Sequence, residues 1–201
     1  MLEPIRDQAA GLLAWQLCAP LRVLAVVAGG RTNAALELLW RLHQGYRDWG
    51  LDCRVLEGTP QSWGDDVDAA EVWLWHAPVE SLVRWWPGGG NHPLVALRAE
   101  PAALVDGYRS LKRLHAAGLQ PIVVALAGGE GAYPEGAVQA TCTALQRTCR
   151  VHLNWVPTVW TLGYHEAVAG QPGTDDVLAR LLDAAWMMDV AGEAGSTGPT
   201  C

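Results

Sequence analysis

The stretch that decides the fold is LRVLAVVAGGRTNAALELLW, residues 21–40. Its first half is apolar and rich in β-branched residues, which predicts a strand buried on both faces. Gly29 and Gly30 follow and allow a tight turn. From Asn33 onward the pattern becomes helical, because apolar residues recur at 3.6-residue spacing. The residues on that face are Ala35, Leu38, Leu39, Leu42, Tyr46 and Trp49.

A strand, a glycine turn and a helix form the outline of a phosphate-binding loop. The free N–H groups and the dipole at a helix N-terminus attract the anion. The full motif has a longer loop that ends in Lys-Ser or Lys-Thr. Here the loop is short and Arg31-Thr32 stands where Lys-Thr would be. We therefore interpret residues 29–33 as a vestigial nucleotide site.

The composition excludes several classes of function. The chain has 201 residues, half of them hydrophobic, and a formal net charge of -7, which argues against sequence-independent nucleic-acid binding. No apolar run approaches the roughly 20 residues of a membrane span, and charges interrupt the N-terminal region where a signal peptide would be apolar. We therefore expect a cytoplasmic protein without strong membrane binding. The five cysteines are an odd number without CxxC spacing, which favours reduced thiols. His152 and His165 lack the spacing of a metal motif, so we expect no zinc site.

The rest of the chain alternates between predicted strands and helices. Further strands are predicted at 52–56, 71–76, 93–98, 121–127 and 151–156, and helices at 4–15, 33–49, 101–117, 138–149 and 175–188, with a short helix after Pro78. Residues 158–173 are expected to be irregular. This alternation predicts one doubly wound, mostly parallel α/β sheet with helices on both faces. The expected units are an N-terminal helix at 1–18, the α/β domain at 19–190 and a disordered tail at 191–201.

Three stretches, in this order, resemble FlhG (also called FleN), a family of MinD/ParA-like ATPases that set flagellar number and placement. DQAAGL, residues 7–12, is similar to the family's DQAxGL(R) signature. Residues 23–39 resemble its phosphate loop and the helix that follows. LVALRAEPAALVDGYRSLKRL, residues 94–114, is similar to its EPxSLTDAYxLIK segment. The resemblance implies a MinD/ParA-like, P-loop NTPase-like fold.

The chain differs from this family at the positions of the family's nucleotide-binding and catalytic residues. The lysine before the glycines and the lysine after them are both absent, and Arg31 occupies the second position. Thr32 matches the threonine that holds Mg²⁺, but Glu57 and His76 stand near strand ends where the family has aspartates. Phosphoryl transfer depends on positioning and charge neutralisation. The resemblance therefore implies an inherited fold without ATPase activity, and ATP and magnesium are expected only if the vestigial site still binds them.

Three hypotheses about function follow. The first is an FlhG-like regulator of flagellar assembly and placement that acts by protein binding, with an FlhF-type GTPase as partner and with basal-body proteins or an active FlhG as further partners. The second is an ATPase with an altered loop, in which Arg31 and Thr32 still bind ATP. The third is a regulator of another MinD-like system, such as pilus or cellulose assembly. The DQAAGL stretch favours the first hypothesis.

Two groups of candidate site residues follow from these hypotheses. The vestigial nucleotide-binding residues are Gly29, Gly30, Arg31, Thr32, Asn33, Glu57 and His76. The partner-binding residues are Asp7, Gln8, Gly11 and Leu12 of the first helix, and Trp85 and Trp86 beside a triple glycine. Each group has a structural alternative: a histidine at a strand end is more often a hydrogen-bonded structural residue, and a tryptophan pair can anchor the core.

Overall fold

A computed structural model of the chain describes residues 21–28, 30, 33–63, 70–87, 92–128, 135–163 and 174–188. The strands are β1 (Leu21–Ala28), β2 (Cys53–Leu56), β3 (Val72–Pro78), β4 (Leu94–Leu97), β5 (Ile122–Leu126), β6 (Thr158–Leu162) and β7 (Trp186–Met188). The helices are α1 (Ala34–Asp48), α2 (Val79–Trp85), α3 (Pro101–Ala116), α4 (Glu135–Leu153) and α5 (Thr174–Asp183). A 3-10 turn, Pro60–Ser62, follows β2.

The strands form a single, mostly parallel sheet in the order β2-β3-β1-β4-β5-β6. Strand β1 lies near the middle and pairs with β3 along its length, while Val26 pairs with Leu94 of β4. Strand β7 is antiparallel and pairs with the first three residues of β1, with Leu21 opposite Met188. The prediction of one mostly parallel sheet is therefore confirmed.

Helices cover both faces of this sheet. Val23 and Val27 of β1 belong to a core that they share with α2, α3 and α4, whereas Leu24 and Val26 belong to a second core shared with α1 and α5. This alternation follows from the two-residue period of a strand, which sends successive side chains to opposite faces. The sheet is doubly wound, and β1 followed by α1 has the strand–loop–helix placement of a P-loop NTPase-like fold.

The prediction of a strand at 151–156 is wrong. Helix α4 continues through Leu153, and Asn154 ends it in the left-handed region with φ 51°. Strand β6 begins at Thr158, inside the segment that was expected to be irregular. The alternating apolar residues at 151–156 suggested a strand, but Val151 is 68% exposed on the last turn of the helix.

The prediction of a helix over 175–188 is too long at its C-terminal end. Helix α5 ends at Asp183, and the residues after it turn back to form β7. Arg22 donates a hydrogen bond of 3.2 Å to the carbonyl of Leu182 and lies 3.6 Å from the carboxylate of Asp183. A cation at this point satisfies the terminal carbonyls of a helix and favours its end.

Several sequence predictions concern residues whose structure is not described. The N-terminal helix at 1–18 and the tail at 191–201 lie outside the described residues, and so do Asp7, Gln8, Gly11 and Leu12. None of the helices in the described ranges combines the length and the apolar character of a membrane span.

Candidate functional site

The described residues of the predicted nucleotide site gather at the carboxyl ends of the parallel strands. Gly30 follows β1, Asn33 precedes the first turn of α1, Glu57 follows β2 and His76 lies near the end of β3. Ligands of open α/β sheets bind at this edge. Gly29, Arg31 and Thr32 are outside the described residues.

Glu57, which follows β2, lies beside His76 of the neighbouring strand β3. Nδ1 of His76 lies 4.0 Å from Oε1 of Glu57. The Glu57 side chain is 83% exposed, and a contact of this length in water contributes little to stability. The structure therefore brings these two predicted site residues together without a strong interaction between them.

An acidic side chain lies directly against the glycine that follows β1. Gly30 has φ 97°, and a Cβ atom built on it would lie 3.0 Å from Oδ2 of Asp106 on α3. The Asp106 side chain is mostly buried and lies 3.7 Å from Arg109, which is itself largely exposed. The carboxylate brings a negative charge to the side of Gly30, and Arg109 balances part of that charge.

The space beside Asp106 is small. Within the described part of the chain, the crevice between β1, β4, α1 and α3 contains a cavity of about 20 Å³, and Asp106 is one of its walls. Pockets that bind small molecules usually measure roughly 300–1,000 Å³. The volume of this cavity lies well below that range.

Sequence reasoning missed Arg41, which is 4% exposed and lies in the middle of α1. Its guanidinium donates hydrogen bonds of 2.7 Å to the carbonyl of Ala127, 2.6 Å to that of Leu162 and 3.2 Å to that of Gly128. These carbonyls lie at the carboxyl ends of β5 and β6. The helical spacing could have indicated that Arg41 is buried, because Arg41 falls three residues after Leu38 on the apolar face of the helix.

Arg41 belongs to a row of alternating charges along this edge. It pairs with Glu37 on the same helix, and Glu37 lies 3.5 Å from Arg98, which follows β4. Arg98 in turn lies 3.2 Å from Glu100, just before α3. Arg41 and Arg98 lie at the edge of the sheet where a cation could contact an anionic ligand. Both guanidinium groups are already paired with carboxylates.

The second predicted partner site, Trp85 and Trp86, lies at the end of α2. Both side chains are half-buried and pack against the core shared by α2, α3 and α4. The Trp86 ring lies 6.4 Å from that of Trp186, centroid to centroid, and the guanidinium carbon of Arg84 lies 5.1 Å from the centroid of Trp85. This packing favours the alternative that the pair anchors the core, while a role in association stays a prediction.

The described cysteines lie in the interior of the fold. Cys53, Cys142 and Cys149 are buried free thiols, which agrees with the expectation of reduced cysteines. Among the residues that the structure describes, no group of three or more His, Cys, Asp or Glu side chains is placed to hold a metal ion.

Comparison with known proteins finds similarity in structure alone. No protein-family model and no curated protein matches the sequence. Six chains of solved structures match. One of them, titled "Crystal structure of LAO/AO transport system kinase", is 14% identical with a TM-score of 0.48, and the match covers 91% of this chain and 66% of that one. This chain therefore spans just under two thirds of the length of that protein.

Proposed function

We propose that this chain is a P-loop NTPase-like protein that does not turn over nucleotide and acts by binding other proteins. The observation that carries the proposal is the Asp106 carboxylate against Gly30, at the place where phosphates would be held. Phosphoryl transfer requires positive groups around the phosphates. The two lysines that would supply them are absent from the sequence.

Within this class, we propose an FlhG-like regulator of flagellar assembly and placement, with an FlhF-type GTPase as its partner. The DQAAGL stretch supports this partner, and the EPAALVDGYRSLKRL stretch, which forms the start and body of α3, supports the family. A glutamine such as Gln8, inserted into a partner's nucleotide cleft, can orient the water that attacks GTP. Leu13 replaces the arginine of the family signature, so we expect weaker stimulation than the family pattern implies.

The nucleotide part of the proposal is tested with ATP, magnesium and the purified chain. We expect no phosphate release above buffer and no micromolar binding by calorimetry, which would correspond to about -8 kcal/mol. We expect Asp106→Asn to raise ATP affinity, because it removes the repulsive charge, while Asp176→Asn on α5 changes nothing. Turnover that disappears on Thr32→Ala would contradict the proposal and support an ATPase with an altered loop.

The partner part is tested by GTP turnover of FlhF in the presence of the full chain. We expect the wild-type chain to raise turnover and Gln8→Ala to abolish the increase. Gln16→Ala is the matched control, because it removes a glutamine from the same segment outside the DQAAGL stretch. Equal turnover with the wild-type chain, with Gln8→Ala and with no added chain would contradict an FlhF-directed role.

A further inference from the structure

Three tryptophans form a cluster on one face of the sheet, next to β2 at the end of the strand order. Trp73 and Trp75 belong to β3, and Trp63 follows the 3-10 turn after β2. The Trp63 ring lies 5.5 Å from that of Trp73 and 5.2 Å from that of Trp75, centroid to centroid, and both pairs are edge to face. All three side chains are buried. Their indole N–H groups therefore need acceptors within the fold or on a bound molecule.

Two of these three N–H groups have acceptors and the third has none. Trp63 donates a hydrogen bond of 3.3 Å to the carbonyl of Glu57, and Trp75 donates one of 3.0 Å to the carbonyl of Gly58. Trp73 is 2% exposed, and in the part of the chain that the structure describes no acceptor lies within hydrogen-bond distance of its Nε1. An indole nitrogen can only donate, so the Trp73 N–H lacks the partner that a buried indole normally has.

Trp73 forms part of the wall of a cavity. The cavity measures about 400 Å³, which lies within the range of roughly 300–1,000 Å³ that is usual for small-molecule sites. Its lining combines aromatic and aliphatic side chains with polar and charged ones, namely Arg54, Val55, Leu56, Glu57, Ser62, Trp63 and Trp73. A molecule bound in this cavity contacts Trp73 directly and can supply a hydrogen-bond acceptor.

Arg54 gives the cavity a positive charge. Arg54 and Trp73 are register partners on β2 and β3, so their side chains leave the sheet on the same face. Arg54 forms no ion pair with any residue in the described ranges. Glu57 also lines the cavity, but its side chain is 83% exposed and its carboxylate lies 4.0 Å from Nδ1 of His76. Water and salt screen a charge at that exposure, so the lining keeps a cation without a close counterion.

We infer that this cavity binds a small organic carboxylate, whose oxygens accept hydrogen bonds from the Trp73 N–H and the Arg54 guanidinium. A carboxylate only accepts, and its two oxygens can take both donors at once. One arginine balances its single charge, whereas a phosphate monoester carries nearly two. The apolar body of the ligand packs against the Trp63 ring. The inference does not depend on the proposed function, because neither Gly30 nor Asp106 lines this cavity.

The binding is tested by NMR on the full chain, with phenylacetate as the probe and phenylacetamide as its uncharged counterpart. The indole N–H signal of Trp73 is identified by its loss in Trp73→Phe. We expect this signal to move downfield and to saturate as phenylacetate is added, because a new hydrogen bond deshields the proton. The signals of Trp63 and Trp75 should move less, because these groups keep their carbonyl acceptors.

The amide probe distinguishes a carboxylate site from a general aromatic one. We expect phenylacetate to bind at least about tenfold more tightly than phenylacetamide, since only the acid forms charge-assisted hydrogen bonds with both donors. A Trp73 signal that does not move at millimolar phenylacetate would overturn the inference, and so would equal affinities for the two probes.

Two substitutions test the two donors. Trp73→Phe removes the N–H and keeps an aromatic ring, and Arg54→Gln removes the cation. Each should weaken phenylacetate binding at least about tenfold. Arg47→Gln is the matched control and should leave binding unchanged, because Arg47 is also exposed but does not line the cavity. Arg54 is exposed as well, so Arg54→Gln remains informative even if Trp73→Phe fails to fold. Wild-type affinity in Arg54→Gln would overturn the inference.

Discussion

Nη1 of Arg41 donates a hydrogen bond of 2.6 Å to the carbonyl oxygen of Leu162, which joins helix α1 to the last residue of β6. The same nitrogen lies 2.7 Å from the carbonyl of Ala127, just after β5. Backbone carbonyls in a buried place need hydrogen-bond donors. One guanidinium supplies them for two strands and fixes α1 across the carboxyl edge of the sheet.

We expect Arg41→Met to lower the free energy of unfolding by about 3 kcal/mol. The substitution leaves the carbonyls of Ala127 and Gly128 without the donor from Arg41. The Leu162 carbonyl keeps only the N–H of Ala127, at 3.0 Å. Glu37 loses one of its arginine partners and keeps Arg98, and costs of this size are typical of broken buried pairs. Urea unfolding followed by circular dichroism measures the change. Arg47→Met is the control on the same helix, because Arg47 is exposed and should change stability by less than about 0.5 kcal/mol. Equal losses in the two variants would show that the hydrogen bonds of Arg41 add no stability.

The central strand and the helix after it could be predicted from the sequence because their signal is local. The apolar run at the start of residues 21–40 and the 3.6-residue spacing after it specify buried elements without reference to the rest of the chain. Helix α3 was also located well, because Pro101 marks its first turn and Gly118 follows its end. The two-face arrangement follows from the same alternation of strands and helices.

The features that were missed depend on distant contacts. Strand β7 exists because Trp186–Met188 pairs with residues that lie about 160 positions earlier, and its apolar pattern alone also fits a helix. Asp106 and Gly30 are brought together by the packing of α3 beside β1, which no local pattern encodes. The groups that accept hydrogen bonds from Arg41 are backbone carbonyls. Every residue has one, so the sequence does not indicate which of them Arg41 contacts.

We expect Gly30→Ala to destabilise the chain more than a left-handed backbone alone would explain. Gly30 and Gly50 both have positive φ, 97° and 81°, but an added Cβ at Gly50 meets no atom within 4 Å. Gly50→Ala should therefore cost only the backbone strain, about 1 kcal/mol. Gly30→Ala adds the close approach to Asp106. Combining it with Asp106→Ala should remove part of the excess, because Oδ2 and Cγ are lost while the Cβ of residue 106, 3.2 Å from the added methyl group, remains. If Gly30→Ala and Gly50→Ala lose the same free energy of unfolding, the contact with Asp106 is not a tight one.

Stability should fall as the pH rises above about 9. Burial raises the pKa of the Cys53 thiol to about 12 and that of Cys149 to about 11, whereas a thiol in an unfolded chain titrates near 8.5. Above about pH 8.5 the unfolded chain loses thiol protons that the folded chain retains, which favours the unfolded state. The free energy of unfolding therefore has its full value below this pH and decreases as the pH rises towards the pKa values of the folded chain. We expect a loss of about 2 kcal/mol per thiol by pH 10.

Urea unfolding at pH 7 and pH 10 tests this expectation. The double variant Cys53→Ala and Cys149→Ala should have a flatter dependence on pH than the wild-type chain, whatever its stability at pH 7. Tyr46 is retained in both proteins, and burial also raises its pKa, so part of the alkaline loss should remain in the variant. An identical pH dependence in both proteins would show that these thiols are not protected from ionisation in the folded chain.

The two tryptophans at the end of α2 should have different effects on stability and partner binding when they are replaced one at a time. The Trp86 ring meets that of Trp186, so Trp86→Ser should release β7 from α2 and lower the free energy of unfolding by about 2–3 kcal/mol. Trp85 meets the exposed Arg84, which leaves part of the ring near the surface. We therefore expect Trp85→Ser to cost less stability and, if this segment contacts a partner, to weaken the complex with FlhF more than Trp86→Ser does.

Trp40→Ser, which removes a tryptophan that is 55% exposed on α1, is the control for both measurements. If Trp85→Ser destabilises the chain as much as Trp86→Ser and leaves partner binding unchanged, both rings serve only to anchor the core.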